Sequence, residues 1–173
     1  MSLGSSVAFV RALAPDVEKR GNFVRGAWDA LRPIPLGSRV FSRLVGRAAP
    51  YTASIGAHVE RLEPGYARVT LADRPAVRNH LRCVHAIALA NLAELCGNVA
   101  VAYSLPDDAR FIVAGLSIEY LKKARGPLVA ESRPPAVDGA DRREIAVVVE
   151  IRDAAGDLCA RTTLRTLIGP KRA

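Results

Sequence analysis

Between Val84 and Tyr103 the chain runs for twenty residues with one charged side chain, Glu94. A stretch of that length and apolarity raises the question of a membrane span. His85, Asn91, Glu94 and Asn98 would be costly in lipid, so a buried helix of a globular protein is the better reading. A helix that is apolar on every side has to be covered on every side. The rest of the chain must therefore supply a wrapping layer, and a second copy of the chain can complete it.

The flanking sequence has the period of strands. Ala53, Ile55, Ala57 and Val59 alternate with other residues, as do Ala67, Val69 and Leu71, and Glu63-Pro64-Gly65 between them reads as a turn. An antiparallel hairpin is expected before the helix. Four further extended runs follow it, at Arg110–Lys122, Leu128–Ser132, Glu144–Arg152 and Leu158–Leu167. Turn-forming Arg125-Gly126-Pro127, Asp138-Gly139 and Ala154-Ala155-Gly156 separate them. Strands on both sides of one apolar helix predict an α+β domain, an antiparallel sheet of five to six strands curled around a long central helix.

Ahead of this, Val7, Val10, Leu13, Val17, Phe23, Val24, Trp28 and Leu31 fall at ragged helical spacing, with a kink or restart at Pro15, and Pro33 and Pro35 end the pattern. A second short helix is expected through Ser38–Arg47. The division read from this is an N-terminal helical extension over residues 1–50 and the main domain over residues 51–173. At 173 residues the chain suits one packed domain.

The net charge of +8 is spread along the chain. No basic run interleaved with aromatics, zinc-finger spacing or glycine-aromatic motif is present, so nucleic acid is not the expected partner. A basic surface also attracts small polyphosphates. Cys83, Cys96 and Cys159 are an odd number without a CxxC pair, which fits reduced thiols in a cytoplasmic protein. The short apolar stretch Val7–Ala14 is interrupted by Arg11 and does not read as a signal peptide. No metal or cofactor is expected.

The chemistry-bearing stretch runs from Val77 to Glu94. A lone carboxylate at Glu94 in apolar surroundings is expected to be buried at a cost, with a raised pKa, which suits a nucleophile or general base; a structural carboxylate reaching solvent is the alternative. Asn79 and His85 lie just before and at the start of the helix, where unpaired N–H groups and the helix dipole would polarise a carbonyl. Taken singly, Asn79 could be a cap or turn residue and His85 a hydrogen-bonded buried histidine.

Together, Asn79-His80, Val84-His85-Ala86 and Leu92-Ala93-Glu94 resemble the helix signature of PaaI-like hotdog-fold acyl-CoA thioesterases, in a branch with an Asn-His, Val-His-Ala, Ala-Glu pattern. The resemblance extends from about Tyr51 to Leu167, with similar segments at Leu62–Gly65 and Tyr120–Gly126. It implies a hotdog fold and hydrolysis of an acyl-CoA, with coenzyme A entering only as part of the substrate. By the same resemblance Glu94 is the nucleophile or the base that activates water, and the Ala86 N–H is the oxyanion site. Asn79 orients thioester or water, and His85 shapes the loop or supports the carbonyl.

Eight residues of helix separate Ala86 from Glu94, about 12 Å. One helix cannot easily present both to one carbonyl carbon; two antiparallel helices of a homodimer can, as in the dimeric sites of the family, and two dimers could pair further into a tetramer. Asn98, one turn after Glu94, could position water or be structural. Lys122, Lys123 and Arg125 suit the phosphates of coenzyme A, or form a basic solvated turn.

Two residues depart from the pattern. Ile87 stands where many relatives have glycine, and Arg82 where a small residue is usual; Arg82 could bind a phosphate, pair with a carboxylate or obstruct the entrance. They favour a second reading, a hotdog protein that binds an acyl-CoA or fatty ligand without cleaving it. Hydration or dehydration of an acyl thioester is a third, but Asp73, seven residues before His80, makes no convincing dyad.

Overall fold

A computed structural model describes residues 21–172. Three helices come first, α1 (Phe23–Leu31), α2 (Gly37–Ala48) and the single turn α3 (Pro50–Ala53). Strands β1 (His58–Glu63) and β2 (Tyr66–Leu71) form a hairpin, followed by the central helix α4 (Ala86–Ser104). Strands β3 (Ala109–Tyr120), β4 (Leu128–Ser132), β5 (Arg143–Arg152) and β6 (Leu158–Pro170) complete one six-stranded antiparallel sheet in the order β1-β2-β4-β5-β6-β3. This is the hotdog arrangement, and the four strands after the helix fall where their period placed them. The expected helical stripe before Gly21 lies outside the described residues.

The first strand begins later than expected. The alternation from Ala53 to Val59 predicted extended chain, but Ala53 belongs to α3 and pairing starts at His58. Pro50 supplies the φ of a first helical turn. Gly56, at φ 64°, then turns the chain into the strand. Ile55 is buried between the two elements without being part of either.

The central helix lies on the sheet through Leu92, Ala93, Cys96 and Ala100, all fully buried. The Cys96 thiol lies 3.4 Å from the Ala130 carbonyl and 3.7 Å from that of Ala67, and burial pushes its pKa up. All three cysteines are free and buried. The helix is long and apolar enough to cross a membrane by composition, yet 67 % of its most apolar window is buried within the protein.

The N-terminal helices share this core: Trp28 and Phe41, packed edge to face at 5.1 Å, belong to the same buried cluster as Leu62 and Leu92. Asn22 ties α1 to α4. Its Oδ1 accepts from the Arg25 N–H at 2.9 Å and caps α1. Its Nδ2 donates to the carbonyls of Ala102 and Leu105, at 2.7 and 3.0 Å, which the end of α4 leaves unpaired.

The hairpin meets α2 through a serine-histidine contact. The Ser42 hydroxyl donates to the Ser38 carbonyl at 2.8 Å, accepts from the Val59 N–H at 2.9 Å, and faces His58 Nδ1 at 3.2 Å. Burial first, then Arg39, lowers the His58 pKa below its ordinary value of 6.5, with Glu60 opposing.

Two predictions follow from the packing. A Cβ at Gly97 would stand 2.4 Å from Leu164 Cδ1 and 3.3 Å from Val149 Cγ2, whereas one at Gly26 meets nothing within 4 Å. In urea unfolding, Gly97→Val should therefore cost about 1–3 kcal/mol by overpacking. Gly26→Ala should add up to about 1 kcal/mol through helix propensity; effects of the same sign would contradict this packing. For His58, the unfolded chain takes up a proton near pH 6.5 that the folded one accepts only at lower pH. Stability should fall as pH drops through 6.5 toward the folded value, and His58→Gln should flatten that slope between pH 7.5 and 5.5.

Candidate functional site

Three interactions pin the start of α4. The Val84 N–H donates to the Ala124 carbonyl at 2.9 Å, and the His85 N–H to that of Val77 at 2.8 Å. Asp73 accepts from Arg78 Nε at 2.6 Å and from the Gly126 N–H at 2.8 Å; Arg78 leads in holding its carboxyl below the ordinary carboxylate range. The helix start is thus fastened to the segment leaving β3 and to the loop leaving β2.

His85 is the N-cap of α4, and its Nδ1 accepts the Ile87 N–H at 3.1 Å. A neutral ring accepting at Nδ1 carries its proton on Nε2, which is left as a donor. His85 is exposed, so the alternative of a buried histidine does not hold. Ala86 is the first helical residue, and among the described residues its N–H donates to nothing. Its carbonyl accepts from the Tyr120 hydroxyl at 3.2 Å. A free N–H at a helix start, held in place on three sides, is the geometry an oxyanion needs.

Asn79 organises the loop in front of the helix. Arg78 and Val84 form an antiparallel bridge, and the Asn79 N–H donates to the Cys83 carbonyl at 2.9 Å. Asn79 Oδ1 accepts from the Leu81 N–H at 2.9 Å and lies 3.4 Å from the Cys83 nitrogen and sulfur. Its acceptor is therefore used within the loop, while Nδ2 has no partner among the described residues. Arg82 closes this turn at φ 54°. That left-handed conformation costs a side chain with a Cβ about 1–2 kcal/mol, a strain that glycine alone would avoid there.

Glu94 is not buried within the fold. It stands exposed on the face of α4 turned away from the sheet, as does Ile87, which is 56 % exposed. The expectation of a carboxylate buried inside the fold is corrected by the helical phase: Leu92, Ala93 and Cys96 face the sheet, and Glu94 points the other way. Asn98 follows one turn later, half-buried, with an Oδ1 that has no hydrogen-bond partner. His85 and Ala86 start the helix, Asn79 lies in the loop bridged to Val84 just before them, and Glu94 and Asn98 lie along the helix.

The basic turn after β3 is largely compensated. Lys122 donates to Asp153 at 2.7 Å and also pairs with Asp157, so its charge is neutralised. Lys123 and Arg125 are exposed and unpaired among the described residues, on either side of the buried Ala124 that receives the Val84 N–H. No group of three or more His, Cys, Asp or Glu side chains converges as metal ligands among the described residues.

Two side chains that sequence reasoning passed over belong to this region. Tyr120 meets Ala86 through its hydroxyl, and nothing in the sequence marks that contact. Asn91 is 6 % exposed, donates from Nδ2 to the Tyr51 carbonyl at 3.3 Å, and keeps a buried Oδ1 without a partner. An asparagine inside so apolar a helix was the visible signal. With His85, Ile87 and Arg78 it lines a pocket of about 230 Å³ at the helix start.

No curated protein is significantly similar to the chain. Among solved structures, a structural-genomics target without a functional name is 30 % identical, with a TM-score of 0.74, covering 86 % of this chain and 99 % of that one. A Pseudomonas aeruginosa protein of unknown function, described as a probable thioesterase, is 22 % identical with a TM-score of 0.68, covering 79 % and 98 %. A thioesterase from Haemophilus influenzae is 15 % identical at the same TM-score, covering 79 % and 92 %. The latter two likenesses establish the hotdog fold. The family model described as Domain of unknown function, DUF4442, matches residues 37–168, so the match takes in all of α2 and all but the last two residues of the sheet, and the chain belongs to that family.

Proposed function

We propose that this protein is an acyl-CoA thioesterase that works as a homodimer. The observation that carries the reading is the open face of α4, with an unpaired N–H at Ala86 and an exposed carboxylate at Glu94 about 12 Å further along the helix. Those two groups serve one carbonyl carbon when a second copy lays its helix antiparallel to the first, so that Glu94 of one protomer meets Ala86 of its partner. The sheet offers a place for that copy. Strand β3 is an edge, paired only with β6, and its second half carries the exposed apolar side chains Leu116 and Tyr120. Likeness in fold to the Haemophilus influenzae thioesterase supports the same class of reaction.

In this reading the thioester oxygen lies against the Ala86 N–H and the positive end of α4. Glu94 either attacks the thioester carbon itself or removes a proton from the water that does. The C–S bond breaks, and the thiolate leaves and takes up a proton. Where water attacks, the acyl group departs at once as a carboxylate; where Glu94 attacks, it stays on Glu94 as an anhydride that a water then hydrolyses to the carboxylate. His85 holds the helix start through its cap and offers Nε2–H to the substrate, and Asn79 Nδ2 is the free donor that orients thioester or water. In the dimer Glu94 is desolvated by the partner, which restores the burial that the single subunit lacks.

One observation favours the binding-only reading. His85 consumes the Ile87 N–H, and the exposed Ile87 side chain stands at the helix start, so the Ala86 N–H would act there without its neighbour. Thiol release separates the readings.

Glu94→Ala should lower thiol release from acyl-CoA esters by at least about a hundredfold with folding unchanged. Proline is favoured at the first helical position and His85 already has the extended backbone proline needs, so Ala86→Pro should fold normally. Lacking that N–H, it should lose about 10²–10³ in turnover. Wild-type rates in either variant would remove the assigned role, and binding without thiol release in the parent protein would establish the second reading.

A further inference from the structure

A groove of about 1120 Å³ runs beside the C-terminal half of α4, separate from the small pocket at the helix start. Its floor is Leu95, Val99 and Ala102, and its walls come from α1 and α2 on one side and the first residues of β3 on the other. Asn98 lies along it with an unpartnered Oδ1, one turn from Glu94. At its far end, where β5 starts and β6 finishes, stand Arg142, Arg143 and Lys171.

Among the described residues those three cations are uncompensated. Arg143 donates to the carbonyls of Asp138 and Gly139 at 2.9 and 3.2 Å, and its Nε is buried without a partner. Lys171 Nζ donates to the Gly21 carbonyl at 2.5 Å, and Arg142 is exposed. Among the described residues none of the three is paired with a carboxylate. The turn carrying Lys122, Lys123 and Arg125 is partly compensated: Lys122 is held by two aspartates, which leaves only Lys123 and Arg125 without a carboxylate among the described residues.

We propose that this groove is the coenzyme A site, with the phosphates at Arg142, Arg143 and Lys171 and the pantetheine arm along α4 toward Glu94. The proposal rests on the thioesterase reading and adds where its substrate is held. Length supports it: Leu95 to Leu105 covers about 15 Å of helix axis. An arm of about twelve bonds, extended as a polypeptide backbone is, spans roughly 14 Å. Composition supports it too, since apolar walls suit the methylenes and geminal methyls of the arm. Several phosphates on one ligand match several cations at one end, and charge-assisted hydrogen bonds to phosphate are the strong ones.

The test is calorimetric titration of the full-length protein with coenzyme A and with pantetheine, which lacks the phosphates. Arg142→Glu should weaken coenzyme A by about tenfold or more and leave pantetheine within about twofold. Ala102→Phe, which fills the groove, should weaken both, and Lys123→Glu should weaken neither. The site is overturned if Arg142→Glu binds coenzyme A as the parent does, if the loss follows Lys123→Glu, or if the parent does not bind coenzyme A. Arg142 is exposed and its variant decides the matter even where Ala102→Phe fails to fold. Thiol release, measured alongside, keeps the two ideas apart. Binding that depends on Arg142 without turnover leaves the groove standing and sinks the hydrolase. Turnover with binding indifferent to Arg142 does the reverse.

Discussion

The seating of α4 on the sheet decides what every other part of the molecule can do. Gly97 removes the one side chain that would hold helix and sheet apart, letting Leu164 come within the space a Cβ would occupy. With Leu92, Ala93, Cys96 and Ala100 buried beneath, the helix has one rotational setting. That setting turns Ile87 and Glu94 outward and half exposes Asn98. Close packing fixes the phase, and the phase presents the chemistry.

The two ends of the same helix are treated oppositely. At the C-terminal end, Asn22 spends its amide on the carbonyls that the last turn leaves unpaired, and α1 is strapped there. At the N-terminal end, the N–H groups of Val84 and His85 are tied down and Ile87 is capped, but among the described residues Ala86 is left open. One end is saturated for stability and the other keeps a donor and the positive end of the dipole available.

Much of this could be read from the residues. Extended runs separated by Gly-containing turns locate four strands to within three residues, and the apolar run gives the central helix. The boundary at β1 was misplaced because a period of two through Ala53, Ile55, Ala57 and Val59 is also produced by small residues in a helical turn and its exit. Glu94 stands out as the exceptional carboxylate, but its exposure is not legible, since a sequence apolar all round does not say which side the sheet takes. The role of Lys122 was hidden for another reason: Asp153 and Asp157 lie some thirty residues away and meet it only through the sheet. Contacts made by the fold, such as Tyr120 with Ala86 or Asn22 with the end of α4, leave no local pattern to find.

The central claim is that one catalytic site draws its carboxylate and its oxyanion donor from different protomers, and mixing two dead variants tests it most directly. Glu94→Ala and Ala86→Pro, inactive alone, should on co-refolding form mixed dimers with one intact site each. Random pairing then returns about a quarter of the parent's thiol release. Continued inactivity of a mixture shown to contain mixed dimers would mean that both groups act within one subunit, and would contradict the account.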